Sequence, residues 1–178
     1  MRDDSGTPAL YTIGHSNQSG EELVALLGAH GIGQVVDVRS VPFSRWTPQF
    51  NREALERMVA AHGIAYAFAG DYLGGRPTDP GCFYDGVVPE GEADYLSLVD
   101  YAEVARRPWY QRGLSRLLEL ADALPTAVMC SEEDPLRCHR HHLIAQTLLA
   151  QGRSVWHIRR GGALEPATAP PTQLSLLP

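Results

Sequence analysis

The stretch from Thr126 to Ile158 constrains the fold more than any other part of the chain. Its apolar run TAVMC reads as a buried strand that ends on Cys130. An acidic, proline-containing loop follows, SEEDPLR. Cys138, His139 and Arg140 then open an amphipathic stretch, HHLIAQTLLAQG, which reads as a helix closed by Gly152. SVWHI (154–158) reads as a further strand. A strand, a helix and a strand in succession predict a parallel pair with the helix laid across it. The loop between Cys130 and Cys138 then faces a helix N-terminus, whose exposed N–H groups and positive dipole end favour an anionic group.

The same alternation runs through the rest of the chain. ALYTIG (9–14), QVVDVR (34–39) and IAYAFAG (64–70) read as strands. Gly20 to His30, with Leu23, Leu26 and Leu27 on one face, reads as a helix, broken by Gly31-Ile32-Gly33. Asn51 is expected to cap a helix that runs to about His62 and stops at Gly63. A long Gly/Pro-rich excursion, DYLGGRPTDPGCFYDGVVPEG, precedes two helical stretches at roughly 92–105 and 109–123. The expectation is a single three-layer α/β domain over 9–160, with a mostly parallel sheet of about five strands flanked by helices. The segment 161–178, rich in Pro and Ala and without periodicity, is expected to be an extended C-terminal tail.

Composition narrows the function classes. At 178 residues, 44% hydrophobic and 20% charged, the chain suits one ordinary globular domain. MRDDSGTPA is too polar for a signal peptide and no apolar run has membrane-spanning length. Three cysteines at irregular spacing do not make a secreted disulfide framework, so a cytoplasmic location is expected. A formal charge of −6 argues against coating nucleic acid by bulk electrostatics. All fifteen basic residues are arginine. Schiff-base and lysine-base chemistry are thereby excluded, and anion recognition falls to arginine forks and backbone N–H groups.

Polar residues gather where the predicted strands end, which in a parallel sheet is the carboxyl edge that binds ligands. His15 and Ser16 follow the first strand, and Asp37, Arg39, Ser44 and Arg45 end or follow the second. Tyr66, Gly74 and Gly75 accompany the third. Cys130, Glu132, Cys138, His139 and Arg140 follow the fourth, and His157 ends the fifth. Cys130 reads either as a nucleophile or as a small buried hydrophobe. Glu132 is a candidate general acid or base. His139, in a first helical turn, suits a neutral general base, with a surface cap residue as the plain alternative. Arg39, Arg45 and Arg140 are candidate anion clamps. His15, Ser16, Asp37, Tyr66 and Cys138 complete the ligand-binding set, and Gly74-Gly75 offers either a backbone approach to ligand or a turn. Cys138 and His142 stand at i, i+4 and could share a metal with Cys130 or His15. No CxxC or HExxH spacing supports that, and neither a metal nor another cofactor is expected.

Several segments together closely resemble one bacterial family, the domain of unknown function 488. They are TIGHS (12–16), VVDVRSVPFSR (35–45), FN (50–51), GIAY (63–66), LGG (73–75), CSEEDP with CHR (130–140) and HI (157–158). They span about residues 11–160, and the resemblance implies an α/β fold centred on CHR. A fainter resemblance is to rhodanese-like domains, through VVDVRSVP and the order AVMC, loop, helix, GRSVWHI, Gly161-Gly162. It would put Cys130 at their sulfur-carrying position. SEEDPLR departs from their short Gly-rich loop, and Arg137 lies one place too far for a phosphatase pattern. Gln173-Leu174-Ser175-Leu176-Leu177 resembles the peptide by which bacterial repair and replication proteins bind the DNA polymerase sliding clamp. Gln173, Leu174, Leu176 and Leu177 would make those contacts from a Pro-rich tether. The leading expectation is an enzyme acting on a nucleotide or nucleic-acid-derived anionic substrate and brought to DNA by that clamp. The alternatives are a non-catalytic ligand-binding or adaptor module and a rhodanese-like sulfurtransferase using Cys130.

Overall fold

The computed structural model describes residues 9–169. Its strands are β1 (Leu10–Gly14), β2 (Gln34–Asp37), β3 (Ala65–Phe68), β4 (Thr126–Cys130), β5 (Val155–Ile158) and β6 (Leu164–Pro166), in the spatial order β3-β2-β4-β1-β5-β6. β1 to β5 are parallel, and every residue of β1, β2 and β4 is buried, as central strands covered on both faces require. The register sets Gly14 opposite Cys130, Asp37 opposite Met129 and Ile13 opposite Ile158, so the carboxyl ends of the central strands are level.

Alternate side chains build two cores. Tyr11, Ile13, Val35, Ala127 and Met129 meet α1 (Gly20–Ala29) and α2 (Arg52–Ala60) through Leu23, Leu27, Leu55 and Val59. Leu10, Val36, Val128 and Val155 face the opposite way. They meet α3 (Gly70–Leu73), α5 (Tyr101–Arg106), α6 (Pro108–Ala123) and the helix that follows β4. The short α4 (Tyr95–Leu98) lies in the excursion before α5. Each fully buried leucine contributes roughly 2–3 kcal/mol by removal from water.

The connections that leave β1 and β4 pack on opposite faces, although the two strands are neighbours. That is the crevice geometry in which open α/β sheets bind ligands. Ser19 starts α1 with a capping box: its hydroxyl accepts from the Glu22 N–H at 3.1 Å, and Glu22 accepts from the Ser19 N–H at 2.7 Å. The helix after Cys138 begins with a wide π-helical stretch, Arg140–Ala145, and continues as α7 (Gln146–Ala150). No described helix is long and apolar enough to cross a membrane.

Two local expectations are corrected. Asn51 precedes α2, but its side chain accepts from the Ser44 N–H at 2.7 Å and leaves the helix uncapped, because it fastens the 42–51 loop instead. Residues 161–178 are not all tail. Gly161 and Gly162, both at φ 89, turn the chain so that Leu164–Pro166 pairs antiparallel with β5 as a sixth strand. Gln173, Leu174, Leu176 and Leu177 lie outside the described residues.

Candidate functional site

Three reactive side chains converge where β4 ends. Cys130 is the last residue of β4. Cys138, whose carbonyl accepts from the His141 and His142 N–H groups at 3.0 and 3.4 Å, opens the next helix, and His139 is in its first turn. The His139 Nδ1 is 3.7 Å from the Cys130 Sγ and 3.8 Å from the Cys138 Sγ. Its Nε2 is 3.1 Å from the Leu73 carbonyl, which can only accept, so Nε2 carries the proton and the Nδ1 lone pair faces both sulfurs. The Cys130 and Cys138 side chains interact across the site. That contact and burial push Cys130 well up, while the same contact, helped by His139 and Arg140, pulls Cys138 well down. Cys138 is the acidic member of the pair.

The three groups form the floor of a cavity of about 220 Å³, whose walls come from the loops after β2, α3 and β4 and from Asp94, α4 and the start of α5. Ser40, Gly75, Tyr101 and Glu132 line it, and Arg76 and Arg137 stand exposed at its rim. Arg76 stacks over Tyr95 at 5.0 Å. Neither Arg76 nor Arg137 has an ion-pair partner among the described residues. The Tyr101 hydroxyl donates to the Gly75 carbonyl at 3.3 Å. Burial and the neighbouring sulfurs push its phenol up, so it is a neutral donor at the wall.

The family model of Domain of unknown function DUF488 matches residues 19–147, well over half of the chain and all of this cavity's floor and rim. The chain belongs to the DUF488 family. No curated protein and no solved structure matches it.

Elsewhere in this DUF488 domain, Arg140 does not reach the cavity as a clamp. It is fully buried and spent on the protein: Nε donates to the Thr12 hydroxyl at 3.2 Å, NH2 to the Glu133 carbonyl at 2.6 Å, and NH1 to the Glu132 carbonyl. The acidic loop is thus held by its backbone. Glu133 is neutralised by Arg159, with oxygens 2.9 and 3.0 Å away, and by the Arg160 N–H, which hold its carboxyl down to about 2. Glu132 has an exposed side chain at the cavity mouth. His142 turns out to the Leu136 carbonyl at 2.7 Å, so its i, i+4 spacing from Cys138 brings no shared ligand.

His15, Asp37, Arg39 and Tyr66 form a separate cluster on the other face of the sheet. Arg39 grips Asp37 with two bonds, at 2.9 and 2.6 Å, and also donates to the Phe50 carbonyl. Tyr66 donates to Asp37 at 2.9 Å. His15 donates from Nδ1 to the Ser16 carbonyl and lies 3.2 Å from Arg39, and burial pulls its value down to about 4. Ser16 itself takes the left-handed conformation (φ 46) at the turn after β1. Arg45 is exposed and stacks on Trp46 at 4.8 Å, away from the cavity. Gly74 packs against the Gly70 carbonyl and Ser40. A methyl on Gly75 would meet the His139 ring, so that glycine makes room for the histidine rather than for a ligand.

The sequence reading missed Arg76 and Arg137. Their signal was position alone: Arg76 directly follows Leu73-Gly74-Gly75, and Arg137 directly precedes Cys138. It also missed a buried chain in which His157 lies 2.7 Å from Thr12 and 3.1 Å from His141.

Proposed function

We propose that this protein is an enzyme acting on a nucleotide or nucleic-acid-derived anionic substrate, bound with its charged end in the cavity above Cys130, Cys138 and His139. One observation carries the reading: two sulfurs and an imidazole nitrogen meet at the floor of a cavity whose two rim arginines have no ion-pair partner among the described residues. Arginine forks match phosphate oxygens, and the chain has no lysine to share that role. A cavity of about 220 Å³ suits one end of a substrate, with the remainder lying outside across Arg76 and Tyr95. Glu132 at the mouth is placed to carry protons to and from solvent. Sulfur transfer from Cys130 is the weaker reading, since that thiol is the protonated one of the pair.

Delivery to DNA by the sliding clamp, through Gln173, Leu174, Leu176 and Leu177, is a further part of the proposal and rests on the sequence of the tail. The central test is calorimetric titration with nucleoside mono- and diphosphates, short oligonucleotides and inorganic phosphate, followed by product analysis. Binding of a phosphate-bearing member and its turnover are expected. A tight complex that never turns over would make the protein a binding module, and no binding by any member would end the reading.

A further inference from the structure

We propose that Cys130, Cys138 and His139 are the three protein ligands of a zinc-type metal ion whose fourth position opens into the cavity. The donor atoms lie within 4.8 Å of one another. A tetrahedral ion with bonds of about 2.3 Å to sulfur and about 2.0 Å to nitrogen separates sulfur from nitrogen by roughly 3.5 Å. The two sulfurs stand 3.7 and 3.8 Å from the His139 Nδ1, so each sulfur–nitrogen pair needs to close by only a few tenths of an ångström to share an ion.

The imidazole is prepared for such a bond. Its Nε2–H donates to the Leu73 carbonyl, the outer hydrogen bond that fixes the tautomer of a metal-bound histidine and aims the other nitrogen at the ion. Gly75 lies flat against the ring and lets Leu73 and His139 approach. The ligands sit on stiff elements, one at the end of a central strand and two at the start of a buried helix. Charge also balances: two thiolates and a divalent ion sum to zero, so the buried site adds no net charge beside Arg140.

Among the described residues, no fourth protein ligand is at hand. His142 faces away and His15 lies on the opposite face of the sheet, whereas the open side is the cavity. Three protein ligands with one open position are the arrangement of catalytic rather than structural zinc. The ion would polarise a substrate oxygen or lower the pKa of a bound water. Its use on an anionic substrate rests on the function proposed above, but metal binding itself does not.

The test is anaerobic titration of the reduced, chelator-treated full chain with Co(II) alone. The expected result is one ion per chain, with a thiolate-to-cobalt charge-transfer band and the visible bands of a tetrahedral site, all displaced by Zn(II). Cys138→Ser and His139→Gln should each weaken binding by more than about 100-fold, beyond the effect of outer-shell changes. Cys82→Ala, at the third cysteine, should not. Near-ultraviolet circular dichroism confirms that each variant is folded. Absence of the bands in wild type, or binding that survives both ligand substitutions, overturns the proposal. Metal binding without nucleotide binding would leave this site standing and remove the proposed function instead.

Discussion

Gly75 and His139 are locked together: a β-carbon on residue 75 would lie 2.5 Å from the imidazole ring. The ring has no room to retreat, because its Nε2 is tied to the Leu73 carbonyl at the end of α3, two residues before Gly75. Gly75→Ala should therefore displace His139 and destabilise the fold by about 1–3 kcal/mol, the usual cost of overpacking. Urea denaturation checks it, and a loss below about 0.5 kcal/mol would show that the loop yields freely.

Arg140 is a structural strut. Replacing it with Met leaves the Glu132 and Glu133 carbonyls and the Thr12 hydroxyl without their donor, and should cost about 2–4 kcal/mol. Lysine, with one ammonium in place of a planar fork, should rescue little of that loss. A Lys variant as stable as wild type would contradict the assignment.

Stability should begin to fall well above the carboxylate range. Burial pulls His15 from 6.5 to about 4 and His157 from 6.5 to about 3, so both are neutral in the folded chain. Between those values and 6.5 the unfolded chain binds protons that the folded chain refuses. Their burial therefore costs nothing above pH 6.5, and stability declines as pH falls below it, by up to roughly 1.4 kcal/mol per pH unit for each histidine. Glu133 adds a loss below 4.5, as its paired carboxylate is protonated on the way to about 2. Urea midpoints at pH 7, 6 and 5 measure this. A flat profile over that range would refute it, and His15→Gln should make the slope shallower.

Arg76 and Arg137 should matter for ligands and not for folding. Both are exposed and free of ion pairs to described residues, so alanine at either should leave the melting temperature within a degree or so of wild type. The affinity for a phosphate-bearing ligand should fall by about tenfold or more, with a weaker dependence on salt. Unchanged affinity in the double variant would move anion binding elsewhere.

Gln173→Ala and Leu176→Ala should each abolish capture of purified sliding clamp by the full chain while leaving nucleotide binding intact. Equal capture by wild type and both variants would dispose of the tail motif.

The five parallel strands were legible because each is a short apolar run punctuated by a polar or glycine residue. TAVMC appears in the structure with the ends that its sequence suggests, whereas QVVDVR is a strand only over Gln34–Asp37. β6 was not legible, since Leu164-Glu165-Pro166 shows no alternation and carries a proline tolerated only at a sheet edge. The reactive trio could be located but not assembled. Cys130 and Cys138 are separated by a loop whose path depends on Arg140, and nothing in the word SEEDPLR says that its carbonyls turn inward. Arginines were the hardest to sort. Arg39 and Arg140 look like anion clamps in a one-dimensional reading, yet both are consumed by partners far along the chain or across a turn. Arg76 and Arg137 have no ion-pair partner among the described residues to betray them. Residue type reports capacity for an interaction, while topology decides whether that capacity is already used.

The strand order has a consequence for how the molecule is made. β1 and β2 are consecutive in the chain but not in the sheet, and the strand between them is β4. Synthesis from the N-terminus completes both flanking strands long before residues 126–130 exist to join them. Until then each has an open inner edge, and the cavity has neither its floor nor the residues that brace it. Insertion of β4 joins the two strands and delivers Cys130 in the same event, so the chain acquires its chemistry only after a long-range pairing is made. A nascent or misfolded chain would carry the separate thiols without the site.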